Sequence, residues 1–291
     1  MADSITPINS VLNGYRVISK LIECPETVLY RGVNERNFHE VVIKMVLPRL
    51  TQSGDLVRQL RREAKYECAF NHPNIIKGRG FFARPMRPHF IMDYFPAKSI
   101  RFRMMDANDT VVATYLKKIM LEAGDALAYV HDEGVVHRDV KPENILVNSA
   151  GESKLIDFAL ASGSGFWERL FLRSRVQGTK SYMSPEQIQG KALDRRADIY
   201  SYGATMFEMV IGRPPFTGSS EAEVLRKHMA EPVRSLRNVK PDVTREFDEL
   251  VCGMLAKQPE ARPADMHAVV EALRSIEIYR GEPESRAVGK G

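Results

Sequence analysis

Hydrophobic positions follow two different rhythms along the chain. In the first third they come as short β-branched runs, VLNGYRVISKLI, TVLYRGVN and HEVVIKMVL, separated by turn and polar residues. That pattern predicts the strands of a small antiparallel sheet. One helix interrupts them: SGDLVRQLRREAKYECAF puts Leu56, Leu60 and Ala64 on one face, with Ser53 placed to cap its start. NHPN ends that helix, because proline and asparagine resist continuing it, and GFFARPMRPHFIMDYF supplies two more strands.

From residue 110 onward the period becomes helical. TVVATYLKKIMLEAGDALAYVHDEG predicts one helix, with Val112, Leu116, Ile119, Ala123, Ala126, Leu127 and Val130 at helical intervals and Gly134 just past its end. Further helices are predicted near 198–211, 221–230, 244–256 and 264–276. IYSYGATMFEMVIG, which holds Glu208 and follows Asp198, reads as a buried helix. The expected fold class is therefore α+β and bilobal. A small β-rich N-lobe with one helix spans 12–95, a larger mainly α-helical C-lobe spans 96–278, and 279–291 form a polar tail. No internal repeat or low-complexity segment interrupts this plan.

Composition changes the picture little. The 291 residues are 44% hydrophobic and 27% charged, the mixture of a soluble globular protein with enough apolar material for a sizeable core. The formal charge of +5 is mildly basic. The densest cluster, Arg58, Arg61, Arg62 and Lys65, is interleaved with Glu63 and Glu67 at helical spacing, so it reads as a solvated face, and no nucleic-acid partner is expected. The three cysteines, Cys24, Cys68 and Cys252, form neither a CxxC pair nor a disulfide framework, which makes a cytoplasmic, reducing compartment the expectation. The N-terminus lacks the basic and apolar stretch of a signal peptide, and no run of about 20 apolar residues exists to span a membrane.

The chemistry concentrates in HRDVKPENILV, residues 137 to 147. An aspartate, a lysine two residues on and an asparagine five residues on share one irregular loop between apolar segments. Phosphoryl transfer needs such a set: a carboxylate to accept the proton of an attacking hydroxyl, a cation to offset developing phosphate charge, and an oxygen ligand for Mg²⁺. Asp157, after apolar Leu155 and Ile156, stands at a strand end as a second hard-oxygen donor.

From about Tyr15 to Ser275 the sequence resembles the eukaryotic-type (Hanks-type) serine/threonine protein kinase family, and the SPEQ segment is similar in style to bacterial members. The HRDxKxxN loop is matched position by position. The resemblance implies the protein kinase fold and an enzyme that moves the γ-phosphoryl group of ATP to serine or threonine hydroxyls of a protein substrate, with Mg²⁺, or Mn²⁺ in its place, as metal. It implies Asp139 as catalytic base, Lys141 as contact to the transferring phosphate, and Asn144 and Asp157 as metal ligands. VVIK at 41–44 resembles the VAIK strand and makes Lys44 the grip on the α- and β-phosphates, with Glu63 as its helical partner. The rival reading of Glu63, a surface residue in an i,i+4 pair, is the less favoured one. Ile22, Leu29, Val42 and Leu146 are implied to line the adenine site, Met92 is the implied gatekeeper, and the backbone from Asp93 to Phe95 is implied to bind adenine. DFA at 157–159 corresponds to DFG, and GTKSYMSPE at 178–186 to the segment that docks protein substrates. Glu186 is implied to pair with Arg262 of EARP, and Asp198 to brace the catalytic loop. His137 is expected to pack and hydrogen-bond without transferring a proton.

Three features depart from the family pattern. Where GxGxxG is expected, the span is Ile22, Glu23, Cys24, Pro25, Glu26 and Thr27, with none of the three glycines. Glycine lets backbone approach phosphate closely, Pro25 offers no N–H, and two glutamates bring negative charge. Losing one or two charge-assisted hydrogen bonds weakens phosphate positioning by roughly 1.5–3 kcal/mol each, about ten- to a hundredfold. Ala159 replaces the glycine that begins the activation segment, and Glu67 stands one turn beyond Glu63, where the family usually packs an apolar side chain. Between DFA and GTKSY, Phe166, Trp167, Leu170 and Phe171 fall at helical spacing, so 165–172 reads either as a short helix packed on its own lobe or as a docking site for a regulatory partner. Ser174, between Arg173 and Arg175, is a candidate phosphosite, and Thr179 is expected to shape substrate docking.

The leading expectation is an active serine/threonine kinase. The alternative is a pseudokinase that binds partners as a scaffold, supported by the missing glycines and Ala159. A small-molecule kinase of the same fold is disfavoured by the docking segment GTKSYMSPE.

Overall fold

The computed structural model describes residues 6–84, 87–163 and 178–281. The chain folds into two compact units, one running up to Ala97 and taking in Lys154–Ala161, the other made of Lys98–Ser153 and the chain from Ser162 onward.

The first unit is built on a six-stranded antiparallel sheet, β1 (Val11–Leu12), β2 (Tyr15–Glu23), β3 (Thr27–Asn34), β4 (Glu40–Val46), β5 (Gly78–Arg84) and β6 (Arg87–Asp93), in the order β1-β2-β3-β4-β6-β5. The first apolar run makes two strands where one was predicted. Asn13 and Gly14 both take positive φ, 53° and 83°, as a tight hairpin turn between β1 and β2 requires. β4 is buried on both faces, which is why its apolar residues run almost without a break. Val41, Ile43 and Met45 join Val17, Val28, Tyr30 and Ile91 on one face, while Val42 and Val46 pack with Leu60, Ala64, Ile76, Phe90 and Met92 on the other.

Helix α1 (Gly54–Ala69) covers that second face. Ser53 occupies its N-cap position, yet the expected capping bond from the Ser53 side chain is not made. The buried stripe of α1 is Leu60, Glu63, Ala64, Tyr66 and Glu67, so two carboxylates sit on the core side of a helix whose other face is solvated. Gly78 sets how closely α1 lies against β5, since a Cβ there would come within 2.7 Å of the Cys68 backbone nitrogen.

The second unit is mainly helical, which makes the class α+β as predicted. α2 (Ile100–Met105) and α3 (Val111–Thr114) lead into α4 (Leu116–Asp132). The single helix expected across this stretch breaks at Tyr115, whose φ and ψ of −109° and 23° leave the helical region. Gly134 follows α4 with φ +70°, as expected. Four later helices, Arg195–Ile211, Glu221–Ala230, Arg245–Met254 and Met266–Ser275, fall where the periodicity predicts. Arg195–Ile211 is buried on every side from Ala197 to Val210 and ends at Gly212 in the left-handed region. Tyr279 pairs with Val243, and Arg280 N–H donates to the Asp242 carbonyl, while the polar tail from 282 lies outside the described residues. Among the described residues no helix is long and apolar enough to cross a membrane.

One buried histidine gives the second unit a pH-sensitive core. His228, fully buried, shares a 2.9 Å hydrogen bond through Nδ1 with the Tyr200 hydroxyl and meets the edge of Phe216. Burial above all, with the Lys257 charge adding to it, pushes His228 down to about 4. The unfolded chain takes up this proton near the ordinary histidine value of about 6.5, so between there and pH 4 the unfolded state holds more protons and stability falls as pH falls. Thermal unfolding followed across that window should show a loss to which His228 contributes roughly 3 kcal/mol, and His228→Phe should flatten the slope. A variant as acid-sensitive as the parent would show that other groups carry the effect.

Candidate active site

The strand register fixes the polar group of the first unit. Pairing sets Ile22 opposite Leu29, Leu29 opposite Lys44 and Lys44 opposite Phe90, while Val42 stands opposite Met92. Lys44 therefore points to the same side of β4 as Val42 and Val46, toward α1. There its Nζ donates to both oxygens of Glu63, at 2.8 and 2.7 Å. Glu63 is only 3% exposed, which decides against the reading that places it in a surface pair. Burial by itself would lower the Lys44 amine, but the carboxylates of Glu63, Asp157 and Glu67 outweigh it and hold Lys44 above its ordinary value.

Asp157 belongs to this unit too, half-buried, with φ +67°. Its backbone N–H donates to Glu67 Oε1 at 3.1 Å. Phe158 is fully buried and packs edge-on against Phe70, ring centres 5.1 Å apart. The residues implied to line an adenine site are distributed unevenly. Val42 and Met92 are buried in the α1 face of the sheet, Leu29 and Phe95 pack against them half-buried, and Ile22 is 53% exposed. Asp93 carries an ion pair with Arg79 and a hydrogen bond with His39 on its side chain, and its N–H donates to the Lys77 carbonyl, while that of Tyr94 donates to the Glu40 carbonyl.

The β2–β3 connection is a tight turn. Glu23 pairs with Val28, and Cys24 N–H closes onto the Thr27 carbonyl at 2.8 Å. The outer carbonyls are tied as well: Glu26 accepts from Leu47 N–H at 2.9 Å and Pro25 from the Arg49 guanidinium at 3.0 Å.

In the second unit the loop at 137–144 is organised around a carboxylate from the buried helix Arg195–Ile211. Asp198 Oδ2 accepts from His137 N–H at 2.7 Å and shares a 2.9 Å bond with His131 Nε2, while Oδ1 accepts from Arg138 N–H at 2.8 Å. Burial pushes the Asp198 carboxyl up, but these bonds together with the neighbouring histidines hold it below the usual carboxylate range. Arg138, pinned through its N–H, takes φ +70°, a conformation a non-glycine residue adopts only where surroundings impose it. His137 is fully buried and Asp139 N–H donates to its Nδ1, in keeping with a packing role.

The pinned loop presents Asp139, Lys141 and Asn144 together. Lys141 Nζ donates to Asp139 Oδ2 at 2.6 Å, and Asn144 Nδ2 donates to the Asp139 carbonyl at 2.8 Å and to Oδ2 at 3.2 Å. Leu146 lies half-buried in the following short strand, Ile145–Val147. Thr179 joins the group more intimately than a docking role requires: its N–H and hydroxyl both donate to Asp139 Oδ1, and Lys141 reaches its Oγ1 at 2.7 Å. Glu186 and Arg262 form the expected buried bidentate pair, at 2.7 and 2.8 Å.

Sequence reasoning missed a second network beside this loop. Arg101 donates to Glu143 at 2.8 Å and to both oxygens of Glu208, at 2.6 and 3.1 Å, and it contacts the Tyr182 hydroxyl, which itself bonds Glu208. It joins the 137–144 loop to the 178–186 segment and to the buried helix. The signal for it was Glu208, a carboxylate inside an otherwise apolar run. Residues 165–172 and Ser174 lie outside the described residues.

A sequence model of the family described as protein kinase domain matches residues 18–273. Serine/threonine-protein kinase PknB of Mycolicibacterium smegmatis is 31% identical over 281 residues, covering 91% of this chain and 44% of that protein. A probable serine/threonine-protein kinase of Streptomyces coelicolor is 29% identical over 239 residues, covering 80% of this chain and 35% of that protein. The chain thus spans less than half the length of these curated relatives. The crystal structure of the Mycobacterium tuberculosis PknI kinase domain matches with a TM-score of 0.71, covering 93% of this chain and 98% of that one, at 23% identity, which is a likeness of fold. The chain belongs to the protein kinase domain family.

Proposed function

We propose that residues 12–278 form one protein kinase domain that transfers the γ-phosphoryl group of ATP to serine or threonine hydroxyls of protein substrates. The observation that carries this reading is the clustering of Lys141, Asn144 and Thr179 on the Asp139 carboxylate, in a loop whose backbone is anchored by a buried aspartate. That anchoring keeps the carboxylate where a base must stand, with no reorganisation needed during reaction.

In this reading Asp139 accepts the proton of the acceptor hydroxyl. Lys141 exchanges its bond to Asp139 Oδ2 for the transferring phosphate, which frees that oxygen for the proton and offsets the phosphate's charge. Lys44, kept charged by Glu63, holds the α- and β-phosphates. Phe95 N–H is the donor offered to adenine, because the N–H groups of Asp93 and Tyr94 are already taken. In the first unit Ile22, Leu29, Val42 and Met92 are the apolar residues that would meet adenine, and Leu146 would have that role in the second.

The donor set fits Mg²⁺. In the first unit the Asp157 carboxylate is a hard oxygen donor; in the second so is the Asn144 Oδ1, left as acceptor when Nδ2 turns to Asp139. When bound, such an ion neutralises charge on the triphosphate.

The tied β2–β3 turn favours the second reading, a pseudokinase scaffold, because it offers phosphate few N–H donors. Purified protein incubated with labelled ATP, Mg²⁺ or Mn²⁺ and a generic basic protein separates the two. The kinase reading expects incorporation that Asp139→Asn lowers by about 10²–10⁴-fold. No incorporation with either metal, or incorporation that Asp139→Asn leaves intact, would favour the scaffold.

Lys44→Met tests the first unit separately. Removing the amine leaves Glu63 buried without its counter-charge, so unfolding should become easier by about 3–5 kcal/mol. Glu63→Gln added to Lys44→Met should recover much of that loss in denaturant titrations without restoring nucleotide affinity.

A further inference from the structure

Glu67 is a fully buried carboxyl on the core face of α1, at a place where side-chain packing alone would be better served by an apolar residue. It touches a segment of the first unit that holds an unusual backbone. Oε1 accepts the Asp157 N–H at 3.1 Å, and Asp157 has φ +67°. Its other oxygen, Oε2, is buried and has no hydrogen-bond partner. The residue two positions further on is Ala159, where the family carries glycine, so the turn has less freedom to adjust by itself.

A buried N–H needs an acceptor, and a left-handed aspartate is stable only where its surroundings over-determine it. A methionine or leucine on α1 would fill the same volume and supply no acceptor. We propose that Glu67 is a positioning residue for Asp157: by accepting its backbone N–H, the Glu67 side chain fixes the DFA turn and sets how the Asp157 carboxylate is presented to Mg²⁺. The metal half of this statement rests on the kinase reading of Asp157; the backbone half does not.

The role does not depend on the charge of Glu67. Burial above all, with Glu63 and Asp157 close by, pushes its carboxyl well above the usual range, while Lys44 and the Asp157 N–H pull it down. A carboxylate and a neutral carboxyl both keep an oxygen that accepts. Glutamine keeps it as well, which makes Glu67→Gln the conservative variant and Glu67→Met the one that removes the acceptor at similar volume.

The first measurement is amide hydrogen exchange at Asp157 in the full chain without nucleotide. The second is the Mg²⁺ concentration at half-maximal binding of a fluorescent ATP analogue. Removal of one hydrogen bond to this N–H should speed exchange in Glu67→Met by about tenfold or more and raise the Mg²⁺ requirement by a similar factor, with α1 exchange unchanged. Glu67→Gln should return both values to within about threefold of the parent. Parental exchange at Asp157 in folded Glu67→Met would overturn the proposal, as would fast exchange in folded Glu67→Gln, which still decides the matter should the methionine variant not fold. The exchange arm needs neither metal nor phosphotransfer, so an inactive parent would defeat the kinase reading and leave Glu67 to be judged on its own.

Discussion

A lysine ammonium taken into a protein interior must have a carboxylate beside it or give up its proton, and the first unit is organised around meeting that condition at Lys44. Its partner Glu63 comes from a helix, not from the sheet, so the ion pair exists only while α1 stays docked on the Val42, Val46 and Met92 face. Docking in turn depends on the stripe of Leu60 and Ala64 and on the absence of a side chain at Gly78, where β5 meets the helix backbone. Because a pair buried this deeply is not held by surface-like electrostatics, its contribution lies in geometry: it fixes where a positive charge stands relative to the strand that carries it. The same helix then sends a second carboxyl, Glu67, to the backbone of Asp157. One helix face therefore bonds both the Lys44 amine and the Asp157 backbone.

The second unit reaches a comparable result with a different device. There the buried charge is Asp198, and what satisfies it is largely backbone: two consecutive N–H groups at His137 and Arg138, with His131 alongside. Using the N–H groups as partners constrains the chain itself, which is how Arg138 comes to hold a positive φ and why Asp139 follows in a defined direction. The helix that carries Asp198 is buried nearly all round, so the anchor cannot drift. The Arg101, Glu143, Tyr182 and Glu208 network extends this anchoring from the loop to the docking segment.

Much of this was legible in the residues. Period-two and period-3.6 patterns placed the long strands and the later helices because burial on one face, or on all faces in the case of Arg195–Ile211, leaves a direct mark on composition. The HRDVKPEN loop could be read because its polar residues have fixed spacing within one short segment. What escaped was whatever depended on a partner distant in sequence. Asn13–Gly14 is a strong hairpin signal, yet the β1 strand it closes is two residues long and offers no period of its own. Thr179 sits forty residues from the aspartate it caps, and no local pattern announces the pairing. Glu67 stood out as a charge where the family packs an apolar side chain, but its bonding partner, the Asp157 N–H, lies ninety residues away and no local pattern announces it.

The turn that replaces the glycine-rich loop shows how a local sequence change shifts work to other parts of the site. A loop covers phosphate well when its N–H groups are free and its backbone can come close. In this chain Cys24 N–H is taken by Thr27, Pro25 has none, and the carbonyls of Pro25 and Glu26 are held by Arg49 and Leu47. The turn is therefore ordered by bonds within the first unit, so closing over a nucleotide would mean breaking them. On the kinase reading proposed above, positive charge for the phosphates would come from groups whose placement does not rely on this turn. Lys44 is such a group, since its counter-charge Glu63 and its strand pairing are both independent of residues 24–27 apart from the β3 register they share. The Lys44–Glu63 pair and the Glu67 bond to the Asp157 N–H are both made without residues 24–27, and both depend on α1.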